Sequence, residues 1–150
     1  MSLFERIERD LVTARKERDE TRLATLGLLK SEVVRTAKEP GAGGATDDEL
    51  VLRVVRREVK RRDEAAQAFA GAGRAASAER ERAEAEVLGA YLPAQLGDDE
   101  LEREVRAVVE EVRPQGPRDM GAVMRAAGAR LAGRAEGARI AAVARRLIGG

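Results

Sequence analysis

Apolar residues in this chain recur three and four positions apart, the spacing of an amphipathic helix, and polar or glycine-bearing stretches interrupt the pattern six times. Leu3, Ile7, Leu11 and Ala14 mark a first helix that opens at Ser2, with Glu5 three residues on as a capping box. The charged run Arg15 to Glu20 holds a turn. A second helix, from about Asp19 to Lys38, carries Leu23, Leu26, Leu28, Leu29 and Val33. It ends at Glu39-Pro40-Gly41, because proline disfavours helical geometry in the residue before it. Thr46 to Glu49 form a second capping box, and the helix it opens reaches about Ala70 with Val51, Val54, Val55, Val59 and Phe69 on one side. Gly71-Ala72-Gly73 ends that helix, and a fourth covers Ala75 to Tyr91. A fifth starts at Gly97 and runs to about Val112. A sixth carries Met120, Val123, Met124, Ala127 and Leu131 on one stripe. The seventh, Gly137 to about Ile148, turns Ile140, Val143, Ala144 and Leu147 inward.

This pattern predicts an all-α protein with an N-terminal bundle of about four helices over residues 1–92 and a C-terminal three-helix domain over residues 97–150. The boundary falls at Tyr91-Leu92-Pro93-Ala94-Gln95-Leu96, a proline-bearing junction whose three large apolar side chains predict that it is packed down rather than loose. The loop Gly41-Ala42-Gly43-Gly44 resembles a phosphate loop only superficially: no strand precedes it and no Gly-Lys-Ser/Thr follows, so it reads as a connector.

Composition agrees with a helical chain, since charged residues make up 37% and aromatics 2%. It also restricts the chemistry. With no Cys and no His, disulfides, the usual zinc sites, thiol nucleophiles and Ser-His-Asp triads are excluded. Ser2, Ser31 and Ser77 have no histidine to activate them. No catalytic residue set, metal site or cofactor is therefore assigned. No run approaches the roughly 20 apolar residues that span a bilayer, and the N-terminus lacks the apolar core of a signal peptide. A cytoplasmic location is expected.

The net charge of +1 hides an uneven distribution. Residues 97–112 carry seven acids and two bases, whereas residues 113–150 carry eight arginines against Asp119 and Glu136. Arginine suits bidentate phosphate contact; a general preference for arginine over lysine throughout the chain accounts for part of the bias. Between the sixth and seventh helices lies Gly133-Arg134-Ala135-Glu136-Gly137. Gly133 suits the left-handed residue that ends a helix, and Glu136 stands at the N-cap of the next. A helix N-terminus favours anions, and Gly137 lets a phosphate backbone come close. Arg134 stands in the joint, Arg139 and Arg146 are spaced to share one face of the seventh helix, and Arg118 and Arg125 one face of the sixth. These six residues form a candidate nucleic-acid edge; a tight helix–helix turn with solvated arginines fits the same residues. Arg53, Arg56, Arg57 and Lys60 on the third helix form a second basic face, either solvated or touching nucleic acid. Glu58 and Arg62 project toward the apolar side at i, i+4, as a pair at the core edge would.

Three stretches resemble the GatB/YqeY family: Arg57 to Arg62, Tyr91 to Leu96, and Asp119 to Met124 with Gly133 to Gly137. Their order and spacing cover essentially the whole chain, and the resemblance to the free-standing YqeY-like members is close. The resemblance implies a C-terminal domain like the tail of GatB, a subunit of the glutamine-dependent tRNA amidotransferase whose tail helps hold the tRNA. Two departures stand in the joint: Ala132 occupies a position where the family often has Lys, and Glu136 one where Asp or Asn is usual. Nothing resembles the GatB kinase-like body or the amidase subunit, so the carbon–nitrogen ligase reaction, with glutamine as amide donor, is not expected of this chain alone. The expected role is a tRNA-binding, translation-associated accessory protein. The alternative is a protein-interaction module that docks on amidotransferase subunits or another translation enzyme.

Overall fold

The computed structural model describes residues 1–149, which from Leu3 onward lie in helices or in the turns and loops that join them. It is all-helical, as the spacing predicts, and divides into two compact units, Met1–Leu92 and Pro93–Gly150. The first unit holds α1 (Leu3–Glu17), α2 (Glu20–Ala37), α3 (Asp48–Gly71) and α4 (Ala75–Gly89). The second holds α5 (Asp98–Val112), a 3-10 turn (Pro117–Asp119), α6 (Met120–Leu131) and α7 (Gly137–Gly149).

Local chemistry sets the helix ends. Ser2 Oγ accepts from Glu5 N at 3.1 Å and Asp19 Oδ1 from Arg22 N at 3.0 Å. Asp47, not Thr46, caps α3: its carboxylate accepts from Leu50 N at 2.9 Å, a stronger acceptor one residue nearer the helix. The first turn is also tighter than the charged run suggests. Helix α1 continues to Glu17, and Arg18 alone adopts left-handed geometry (φ 55°), its N–H bonding to the α1 carbonyls. Helix α4 stops at Gly89 rather than Tyr91, and Tyr91 N and Leu92 N close turns back onto Leu88 O and Gly89 O.

Each unit has its own core. Ile7, Leu26, Leu29, Val33, Val51, Val54, Val55 and Leu88 fill the first, and Leu101, Val105, Val108, Val123, Ala127, Leu131, Ile140 and Ala144 the second. Each such Val, Leu or Ile contributes about 1.5–3 kcal/mol by burial, against about 0–1 kcal/mol for an exposed ion pair. Burial therefore dominates.

Helices α3 and α4 form the most extensive helix pair, yet α4 offers mainly alanines, Ala78 and Ala85, beside Leu88. Small side chains permit close approach but specify register weakly. A buried ion network supplies what they lack. Glu58, 6% exposed, accepts from Arg62 Nη1 at 2.9 Å and from Arg61 Nη1 at 3.0 Å. Arg62 Nε lies 3.4 Å from Glu84 on α4. The pair read from the i, i+4 spacing is thus present, extended across to a second helix.

Tyr91 closes the first unit. It is 5% exposed, its hydroxyl donates to Asp10 on α1, and the Arg6 guanidinium lies 4.6 Å from the ring centroid and donates to Ala90 O. Burial, then the Asp10 hydrogen bond, pushes the phenol well above its ordinary range. Beside it lies an open cleft of about 290 Å³ lined by Arg6, Asp10, Arg22, Leu26 and Tyr91 among others.

Two outcomes follow. Glu58→Ala takes the nearer partner from Arg62 and leaves it only Glu84 at 3.4 Å, and should cost about 1.5–3 kcal/mol in urea denaturation, whereas Arg61→Ala, at an exposed partner, should cost less than about 1 kcal/mol. Because the folded-state phenol titrates above the unfolded one, Tyr91 contributes stability that is complete below about pH 10 and is lost as pH rises further. The stability gap between the natural chain and Tyr91→Phe should therefore narrow above that pH.

Candidate nucleic-acid interface

Two successive left-handed residues, Ala132 (φ 46°) and Gly133 (φ 82°), break the chain between α6 and α7. Gly133 was the expected left-handed residue; Ala132 precedes it as the C-cap, its N–H bonding to Gly128 O at 3.1 Å. A non-glycine residue there carries strain of about 1–2 kcal/mol, which the surrounding bonds hold in place. Arg134 N donates to Leu131 O at 2.9 Å, and Ala135 is buried in the core of the second unit. The chain restarts at Gly137, with Ile140 N bonding Glu136 O at 3.1 Å. Glu136 therefore stands at the helix entrance, but its carboxylate makes no hydrogen bond among the described residues. Gly137 is exposed, and a Cβ built on it meets nothing within 4 Å.

The arginines divide into two sets. Those that face α5 are paired with its carboxylates. Arg139 Nη2 donates to Asp98 Oδ1 and to Leu96 O, both at 3.0 Å. Arg146 Nη2 donates to Glu102 Oε1 at 2.7 Å, and Arg130 Nε to Glu104 Oε2 at 2.7 Å. The Arg130 hydrogen bond and charge, with Arg134 and Arg103 nearby, hold the Glu104 carboxyl below its ordinary range. Three of the eight arginines of residues 113–150 thus meet acids of residues 97–112 inside one unit.

Arg113, Arg118, Arg125, Arg134 and Arg145 have no carboxylate within 4 Å among the described residues. Arg134 is half-buried, its Nε donating to Leu131 O at 3.3 Å. Arg125 is exposed on α6, and its Nη1 lies 3.4 Å from where a Cβ on Gly121 would be. Arg118 does not lie on α6 as its spacing from Arg125 suggests, because Pro117 starts a separate 3-10 turn that contains it. Arg145 was not foreseen. It lies about 100° around α7 from Arg146, on the side of exposed Ala138 and Ala142 and away from the pairing with α5. A helical wheel distinguishes the two neighbours; sequence adjacency does not.

On α3, Arg53, Arg56 and Lys60 are exposed and have no carboxylate within 4 Å among the described residues. Arg57 departs from that face. Its Nη2 lies 3.6 Å from Glu32 and donates to Thr36 Oγ1 at 3.3 Å, tying α3 to α2. No group of three or more acidic side chains is placed to hold a metal ion among the described residues.

The structure so defines an all-helical protein that ends in a three-helix domain with a broken, arginine-bearing joint. A family model described as Yqey-like protein matches residues 4–148, and the chain belongs to that family. The family is related to the C-terminal tail of GatB. No curated protein matches the chain significantly. No helix is long and apolar enough to cross a membrane among the described residues.

Gly133→Ala places a Cβ on a left-handed residue directly after another one and should cost about 1–2 kcal/mol, read as a lowered thermal midpoint, while Gly137→Ala should fold normally.

Proposed function

We propose that this protein is a tRNA-binding accessory factor of translation, related to the amidotransferase by its C-terminal domain and not itself a ligase. The family's relation to the GatB tail supports a translation-associated role. The observation that carries the nucleic-acid reading is the sorting of the arginines. While Arg130, Arg139 and Arg146 are taken up by α5, Arg118 and Arg125 are left to solvent beside α6, where the small residues Gly121, Gly128 and Ala129 are exposed along with Arg130, itself paired with Glu104. Small side chains let a sugar–phosphate backbone approach the helix, and free guanidinium groups meet its charge. No exposed aromatic side chain is available for base stacking: Tyr91 is buried, while Phe4 and Phe69 are half-buried with cations against them. Recognition then rests on shape and phosphates. On the first unit, the cations Arg53, Arg56 and Lys60 of α3 offer a second basic face of their own.

The second reading, docking on an amidotransferase subunit or another translation enzyme, draws support from α2. Over residues 21–31 its exposed residues, Thr21, Ala24, Leu28 and Ser31, carry no charge, and Leu28 is 57% exposed; the charged Glu20 and Arg35 bound that stretch. Binding to total tRNA across a salt series separates the two. The tRNA reading expects affinity that falls steeply with salt, and a slope shallower by roughly 1.4–1.8 in Arg118→Ala/Arg125→Ala, two phosphate contacts at about 0.7–0.9 each. Absence of binding at low salt overturns it. Protein capture that survives RNase and is lost in Leu28→Glu would then establish the docking reading.

A further inference from the structure

Gln95 and Leu96, the last two residues of the Tyr91 to Leu96 junction, have no part in the phosphate edge, yet both are hydrogen-bonded to the joint. Leu96 N donates to Arg134 O at 2.8 Å, and Gln95 Nε2 donates to Gly133 O at 3.2 Å and to Pro93 O at 2.9 Å. From the other side, Arg139 Nη2 reaches back to Leu96 O at 3.0 Å. The Leu96 side chain is buried in the same core cluster as Ala135. Two stretches about 40 residues apart in sequence are therefore one bonded unit.

The bonds fall where the joint has least to hold it. Gly133 and Arg134 lie between two helices, so neither carbonyl belongs to a helical ladder. Gly133 follows a strained left-handed residue that would relax if the turn were free. A donor on each carbonyl fixes the peptide planes, and with them the direction in which Arg134 leaves the chain and α7 starts.

We infer that Gln95 and Arg139 are positioning residues for the α6–α7 joint. They hold the turn in the form that presents Arg134 and the first turn of α7, and Arg139 does not itself bind phosphate. A guanidinium already shared between Leu96 O and Asp98 has less to offer a phosphate than the free Arg125. The inference rests on the tRNA-binding reading of this joint, and the two can fail separately.

The test uses the full chain and total tRNA across a salt series, with Gln95→Met, Arg139→Gln and, as reference, Arg125→Ala. Gln95→Met keeps the volume of an exposed side chain and removes only its hydrogen bonds, so it should fold. It should weaken binding by about threefold, the effect of one or two modest hydrogen bonds, with an unchanged salt slope. Arg139→Gln should weaken binding with the slope also unchanged, while Arg125→Ala makes the slope shallower by about 0.7–0.9. Full affinity in Gln95→Met, or a slope change in Arg139→Gln equal to that of Arg125→Ala, overturns the inference. Hydrogen exchange at the Leu96 amide gives a readout without RNA. It should quicken about tenfold in Gln95→Met, a loss near 1.4 kcal/mol of local protection. If the natural chain binds no tRNA, the functional reading fails, and unchanged exchange at Leu96 then rejects the clamp as well.

Discussion

With two phenylalanines and one tyrosine in 150 residues, the helices of this protein have to pack through Val, Leu and Ala. Those residues bring backbones close but leave few knobs to define how one helix sits against the next. Charge does that instead. Glu58 gathers Arg61 and Arg62, and Arg62 carries the network to Glu84 on α4. In the second unit Asp98, Glu102 and Glu104 on α5 meet Arg139, Arg146 and Arg130. Apolar burial supplies the stability, while paired charges restrict the register. The arginines left over after that matching are the ones available to a partner.

Most of this architecture was legible in the chain. Seven helices follow from the three–four recurrence of apolar residues, and the i, i+4 placement of Glu58 and Arg62 foretold their pair. Local competition decided the details that were not. Asp47 wins the cap of α3 over Thr46 because a carboxylate is the stronger acceptor, and Pro117 sets Arg118 in a turn of its own. The candidate site was less legible. Spacing alone placed Arg139 and Arg146 together, as they are, but could not say that both face the acids of α5 rather than solvent. The excess of acid over residues 97–112 was the signal. It was visible as composition, but assigning it to those arginines requires knowing which helix faces which.

The junction between the units has two ends that do different work. Tyr91 is latched into the first unit through Asp10 and Arg6, and Gln95 and Leu96 are bonded to the α6–α7 joint of the second. Only Leu92, Pro93 and Ala94 lie between these anchors, and proline removes one further freedom by fixing its own φ. This explains why a linker position carries a tyrosine, a leucine and a glutamine where glycine and serine would serve a loose tether. Each side chain is required by the unit it closes, not by the linker itself. Lengthening the chain between 92 and 94 should therefore leave both units folded, whereas substitutions at Tyr91 or Leu96 act on the unit to which each belongs.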